Sequence, residues 1–449
     1  MRLVNRVCIV ILVLLSCAGA QADGSDPLYA GWSTIDITPD KPVALIGQLH
    51  KRISQRVRDP LTATALALET RGPQGQREQA ILISCDVLFT RKAVQERLRQ
   101  LLKARLPDFD ADKLLLNATH THTAPGFLDG AFGGLYDVSN DAGVMKASEY
   151  ADFFLERAVK VAIDAWQTRK RAGMSWALGH AVIGTNRRAQ YFDGSATMYG
   201  KTNRPDFSGI EGYEDHGLEM LFFWSEDKKL TGIVINVACP AQETEGLSEI
   251  SADFWHDVRA QLHESVSEDL FVLPQCAAAG DLSPHLVWRK RAEEVMRKRK
   301  GLSNRADIAR RIVEAVENVL PLAREDVQTS MIFKHTTARI NLPAEDPALL
   351  PFYRTDTVAP IEFHVLRLGD VALATNPFEL YLDYGVRIEA RSPAVLTLVT
   401  QLACQNCGYL PTERAIKGGG YSADKYVVGP QGGKVLVDET VQRLKALWD

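Results

Sequence analysis

What most constrains the fold of this chain is a pattern that recurs along it. A strand-length apolar run ends abruptly in a polar or reactive side chain. Leu114-Leu115-Leu116 runs out through Asn117-Ala118-Thr119 into His120-Thr121-His122 and breaks at Pro125-Gly126. Ile233 to Ala238 ends in Cys239-Pro240, Leu270 to Ala279 in Gly280-Asp281-Leu282-Ser283-Pro284, and Val371 to Thr375 in Asn376-Pro377-Phe378-Glu379. Met174 to Asn186 leads to Arg187-Arg188, and Val395 to Ala403 runs on towards Cys407-Gly408-Tyr409. Sites in α/β architectures gather just past such strand ends. Between the runs, Val94, Leu98, Leu101 and Leu102, then Tyr150, Phe153, Phe154 and Val161, then Ile308, Ile312, Val316 and Val319 fall at helical spacing. Interleaved strands and helices predict one mixed α/β domain. No low-complexity linker divides the chain, and no sequence repeat is visible.

In an extended segment side chains alternate faces, so His120 and His122 are expected to point the same way. Two imidazoles at a strand mouth suit a metal or acid–base site, because neutral imidazole is a favoured zinc ligand. The bland alternative is a strand end with two partly exposed histidines.

Composition narrows the class further. The 449 residues are 46% hydrophobic and 24% charged, which is ample for a large core, and the net charge of -4 gives no reason to expect nucleic acid as a partner. One basic cluster, Arg289-Lys290-Arg291 with Arg297-Lys298-Arg299-Lys300, is interrupted by Glu293 and Glu294. It reads as the solvated face of a helix, with a membrane-surface contact as the second reading. Arg2 and Arg6 followed by the apolar stretch Val7 to Leu15 and small residues predict a signal peptide over residues 1–22, with the mature domain over 23–449. The protein is therefore expected to be secreted or periplasmic. Leu14-Leu15-Ser16-Cys17 also resembles a lipobox, which leaves a lipid anchor on Cys17 open. Beyond the leader five cysteines remain, an odd number for an oxidising compartment.

At these strand ends the chain resembles the neutral ceramidases, zinc-dependent amidases that cleave the fatty acyl amide of ceramide. Ala118-Thr119-His120-Thr121-His122-Thr123-Ala124-Pro125-Gly126 is close to the family's Thr-His-Thr-His segment. Asn186-Arg187, Gly280-Asp281-Leu282-Ser283-Pro284, Glu379 and Tyr409 follow in the family's order, with Tyr421 twelve residues after Tyr409. Gly31-Trp32-Ser33-Thr34-Ile35-Asp36 near the start and Val428-Gly429-Pro430 near the end are also similar. The resemblance implies a catalytic domain of the neutral ceramidase type, without the family's C-terminal immunoglobulin-like domain. It implies Zn2+ held by His120, Glu379 and Tyr409, a Ser283 that attacks or positions, and His122, Arg187 and Tyr421 facing the substrate.

Two departures from the family matter. Where the family has a histidine before proline as the remaining zinc ligand, this chain has Cys239-Pro240. Thiolate is a good zinc ligand, so Cys239 is the expected replacement, with His256 as the alternative. Cys404-Gln405-Asn406-Cys407 precedes Tyr409 where the family has neither cysteine, and a structural role such as a bracing disulfide is expected, ahead of a second metal site or a redox pair. The expected activity is hydrolysis of the acyl amide of ceramide or a related lipid-like amide, with membrane-surface contact in view. The alternatives are a hydrolase of another amide or ester, and a non-catalytic binding protein of the same fold.

Overall fold

The structure is a computed structural model that describes residues 25–343, 360–424 and 426–449. The leader with Cys17 lies outside the described residues. Twelve strands carry the architecture: β1 (Asp26–Asp36), β2 (Thr62–Arg71), β3 (Arg77–Cys85), β4 (Leu114–Ala118), β5 (Lys170–His180), β6 (Gly217–Ser225), β7 (Leu230–Val237), β8 (Phe271–Cys276), β9 (Phe333–Ile340), β10 (Ile361–Leu368), β11 (Val371–Thr375) and β12 (Leu396–Thr400). The larger helices are α1 (Lys92–Lys103), α2 (Ala147–Gln167), α3 (Phe254–Ser265), α4 (Lys290–Arg299), α5 (Asn304–Glu325), α6 (Leu382–Glu389) and α7 (Pro430–Ala446).

These elements repeat one topology three times. β1, β2 and β3 pair antiparallel in succession, α1 crosses over, and β4 lies parallel beside β3. β5, β6 and β7 do the same, with α3 leading to a parallel β8. β9, β10 and β11 do it again, with α6 leading to a parallel β12. A parallel neighbour demands a crossover, and a helix is the usual one. The first two units join into one sheet through β1 and β5, at Tyr29 opposite Arg171 and Ala30 opposite Lys170. The third unit forms a separate sheet.

The two sheets face each other, and helices cover their outer sides. Along β2, Leu66 and Leu68 point into the space between the sheets, where they join Leu221, Phe223, Leu366 and Leu373. Ala63, Ala65 and Ala67 of the same strand point outward, against Leu98 of α1 and Phe154 and Ala158 of α2. Phe222 and Ile235 of the second unit meet Val258 of α3 and Ile312 of α5, and Phe363 and Val365 of the third meet Ile388 of α6 and Leu444 of α7. Strand side chains alternate faces, so a strand apolar on both faces is the signature of a sheet covered on both sides. The result is a four-layered mixed α/β domain: helices, sheet, sheet, helices. Each buried Leu, Ile or Phe in it contributes about 1.5–3 kcal/mol by leaving water.

The hairpin around Glu226-Asp227-Lys228 joins β6 and β7, Asp253 caps the N-terminus of α3, and the interval Ile361 to Thr375 is two strands joined by the two-residue turn Gly369-Asp370, whose Gly369 has φ 62. The basic cluster is an exposed helix, α4, with no buried residue. Cys404 and Cys407 are not joined in a disulfide, so the bracing bond expected of them is absent; both thiols are buried. No helix among the described residues is long and apolar enough to cross a membrane.

Candidate active site

The parallel strand pair that closes each unit ends in the same direction, at Cys85 beside Ala118, Val237 beside Cys276 and Thr375 beside Thr400. The segments that leave those ends carry almost every polar group singled out in the sequence. His120 and His122 follow β4, Cys239 follows β7, Ser283 follows β8, Glu379 follows β11 and Tyr409 follows β12.

β4 stops at Ala118, and His120 adopts a left-handed backbone conformation with φ 65. The expected strand alternation therefore does not aim the two histidines; a turn with a strained non-glycine residue does. Their rings stand edge to face, with centroids 5.0 Å apart, and both line one cavity. His120 Nδ1 lies 2.7 Å from the Leu88 carbonyl oxygen, which can only accept, so Nδ1 carries the proton. In the neutral ring Nε2 then presents a lone pair to Glu379 Oε2 at 3.4 Å. Two acceptors facing each other is an arrangement that a cation or an extra proton bridges.

Glu379 is held on the short strand Glu379–Leu380, which pairs with Tyr409–Leu410 so that Glu379 lies beside Tyr409. Burial opposes ionisation of Glu379, but His120, Tyr409 and Arg187 around it hold its carboxyl below the usual range. Burial pushes the Tyr409 phenol well up. Arg187 donates to Tyr409 Oη (3.3 Å), to the Gly280 carbonyl (2.9 Å) and to Gln242 Oε1 (3.4 Å), while its Nε has no partner. Tyr421 stands edge-on to Tyr409 at 5.7 Å.

The cavity has a volume of about 260 Å³. His120, His122, Glu379, Tyr409 and Tyr421 form its polar end, and Leu49, Leu88, Phe89, Phe132 and Leu135 form apolar walls. Both ring nitrogens of His122 are buried there, and neither is hydrogen-bonded. Burial, reinforced by the neighbouring His120, lowers its pKa to about 3, so the ring is neutral. A buried imidazole with two unanswered nitrogens on a cavity wall is a group waiting for a ligand.

Ser283 and Cys239 sit apart from this cavity's lining. Ser283 lies in a short strand opposite Thr185, fully buried, and its Oγ accepts from the Tyr199 hydroxyl (2.9 Å) and the His285 amide (3.0 Å). Among the described residues no imidazole nitrogen is hydrogen-bonded to it. Cys239 is buried, and its thiol, pushed well up by burial, points to the Pro240 carbonyl at 3.5 Å. Among the described residues, the one set of three potential ligand atoms all within 4.8 Å of one another is Glu362, His364 and Cys404; Cys239 does not join His120 and Glu379 in such a set, and neither does His256. His256 occupies the first turn of α3.

Three groups escaped the sequence reading. Glu245 places Oε2 3.6 Å from His122 Nδ1 and Oε1 3.2 Å from His285 Nε2. Burial opposes its charge most strongly of any one influence, but His285, His122 and Gln242 together outweigh it and the carboxyl falls to about 2. His285, hydrogen-bonded to Glu245 and near Glu243, is raised above the usual imidazole range against the effect of burial. Tyr199 bonds Ser283. The nearest sequence signal was the histidine that follows Ser283-Pro284; nothing local marks Glu245 or Tyr199.

No family profile matches the sequence, and no curated protein matches it. Several solved chains match in shape, among them two ceramidases. One is the neutral ceramidase from Pseudomonas aeruginosa, with a TM-score of 0.73 and 16% identity, over 94% of this chain and 74% of that one. The other is a ceramidase complexed with C2, with a TM-score of 0.72 and 17% identity, over 94% of this chain and 75% of that one. The fold of this chain is the fold of those ceramidases.

Proposed function

We propose that this protein is an exported zinc hydrolase of N-acyl amides, with ceramide or a related lipid-like amide as substrate. The observation that carries the reading is the facing pair His120 Nε2 and Glu379 Oε2, 3.4 Å apart at the polar end of an apolar-walled cavity. The donor set fits zinc, because a metal-ligating histidine commonly donates its other ring N–H to a backbone carbonyl, as His120 does to Leu88. His120, Glu379 and Tyr409 would hold the ion. Cys239 would complete the set only after its side chain leaves Pro240, so Cys239→Ala separates a ligand from a packed thiol. Bound zinc supplies Lewis acidity towards an amide carbonyl.

The chain's own groups do the rest. The apolar walls take an acyl chain and keep water from the amide. Arg187, always charged and buried beside Tyr409, stabilises negative charge that develops on the carbonyl oxygen. His122, neutral and unpartnered, is placed to accept a proton from the nucleophile or return one to the amine that leaves. Tyr421 closes the rim. Ser283, bonded to Tyr199 and to no imidazole nitrogen among the described residues, has a positioning role in this reading.

Metal analysis of the purified protein beside hydrolysis of a fluorogenic long-chain N-acyl amide tests the reading. The expected result is about one zinc per chain, activity lost to a chelator and restored by Zn2+, and a His122→Ala variant that keeps its metal while its rate falls by about 10²–10⁴. A metal-free protein that still hydrolyses the amide, or a metal-loaded one that does not, removes it.

A further inference from the structure

α4 is unlike the other long helices of the molecule, because it buries nothing. A ten-residue helix alone in water is marginal, so something other than a core must hold it. Polar ties to α5 do. Glu293 pairs with Arg311 (3.0 Å), Arg297 donates to Asn304 (3.3 Å), and Lys300, just past the helix, pairs with Asp307 (3.2 Å). Residues 293, 297 and 300 share one helix face, which is the face turned to the body.

The opposite face carries Arg291, Ala292, Val295, Lys298 and Arg299, and Met296 lies on the flank between the two faces. Trp288, two residues before the helix, is 44% exposed, and Val295 and Met296 are 41% and 49% exposed. Arg289 lies over the Trp288 ring at 3.9 Å. Lys290, Arg291 and Arg299 make no ion pair or side-chain hydrogen bond among the described residues; Lys298 is paired only with Glu294 of its own helix. Between positions 288 and 300 there are seven basic side chains against two glutamates, in a chain whose net charge is -4. The patch is therefore a local reversal of the molecule's sign, held outward and carrying an exposed indole.

We propose that α4 and Trp288 dock the protein on an anionic phospholipid surface. The charge complementarity sets the partner: unpaired Lys and Arg attract acidic headgroups, and Trp, Val and Met can enter the headgroup–acyl boundary. Each basic side chain at such a surface strengthens partitioning by about fivefold. The helix begins seven residues after Ser283, so its first residue lies within roughly 25 Å of Ser283. The proposal stands independently of the hydrolase reading, since it concerns binding to vesicles and not turnover.

Co-sedimentation of the full chain with phosphatidylcholine vesicles, with and without about one-third phosphatidylglycerol, is the test, at low and high salt. The protein is expected to bind the anionic vesicles at least about tenfold more tightly, with the preference lost in high salt. The double variant Arg291→Glu/Arg299→Glu is expected to lose that preference while its melting temperature and its hydrolysis of a water-soluble amide stay unchanged. Comparing vesicle types and variants in the same full chain removes any contribution of an N-terminal anchor. Equal binding to neutral and anionic vesicles, a variant that binds as the parent does, or tight binding to an oligonucleotide with none to vesicles would each overturn the proposal.

Discussion

Among the described residues, two glutamate–histidine clusters have opposite characters. One is Glu362, His364 and Cys404, whose potential ligand atoms all fall within 4.8 Å of one another. The other is His120, His122 and Glu379. By proximity alone the first is the better metal site. Its surroundings argue otherwise: Arg99 Nη2 sits 2.7 Å from Glu362 Oε1 and 3.4 Å from His364 Nε2, where a cation would have to go. Arg339 takes the other carboxylate oxygen at 2.8 Å. His364 Nδ1 lies 2.8 Å from His335 Nε2, and His335 Nδ1 lies 2.9 Å from the Gln79 carbonyl, so the ring protons are spoken for. The cavity beside this cluster has a volume of about 20 Å³. In the second cluster both ring nitrogens of His122 are unanswered and the cavity is more than tenfold larger. Saturation marks a structural cluster, and unmet bonding capacity beside a cavity marks a site.

The strongest way to break this contrast is to delete one histidine from each cluster. His120→Ala is expected to empty the metal site and lower amide hydrolysis by about 10³-fold or more. His364→Ala is expected to leave metal content and turnover per folded molecule unchanged and to cost only stability. Metal analysis of both proteins by mass spectrometry decides. Zinc that vanishes with His364 would exchange the two assignments.

Next in size is Arg99→Ala. Removing one partner from a buried ion pair leaves the other uncompensated, at about 3–5 kcal/mol. Denaturant unfolding measures it. The pH dependence of stability sharpens the same point. Burial opposes the charge of Glu362, but His364 and Arg99 outweigh it and hold the carboxyl far below its usual range. His335 and His364 are pulled down, by burial first, with Lys113, Arg99 and Arg339 also acting on them. A depressed carboxylate contributes stability above its unfolded pKa of about 4.3 and loses it as pH falls. Imidazoles kept neutral cost stability once pH drops below about 6.5, where the unfolded rings take protons. Both signs point to acid weakening, and in Arg99→Ala the part of the slope below about pH 5 should flatten.

The same contrast explains what the sequence could tell. The apolar runs of β4, β7, β8 and β11 announced themselves, and so did the residues that follow them, because periodicity and strand ends are local signals. The three-fold recurrence of three antiparallel strands, a helix and a parallel strand was not legible, since it lives in pairing and not in any shared residues. α6 was missed for a related reason: an eight-residue helix wedged between Glu379 and β12 has too few turns to show a period. The left-handed turn at His120 replaced the strand alternation expected of it. Arg99 gave no sign of filling the Glu362 cluster, because Glu362 lies on the sheet of the third unit, 263 residues away.

The smallest expected effect is the most discriminating about how the cavity works. Glu245 reaches His122 at 3.6 Å and His285 at 3.2 Å, so it links the unpartnered ring to a second histidine without lining the cavity itself. If it orients His122, then Glu245→Gln, which keeps the shape and removes the charge, should lower kcat by about tenfold with KM and metal content unchanged. The same substitution made in His122→Ala should cost nothing further, because the two residues act through one path. Glu362→Gln is the control from the other cluster: stability should fall and kcat should not. A Glu245→Gln protein that loses its zinc would instead place this carboxylate among the ligands, and would supply the donor that Cys239, turned towards Pro240, does not.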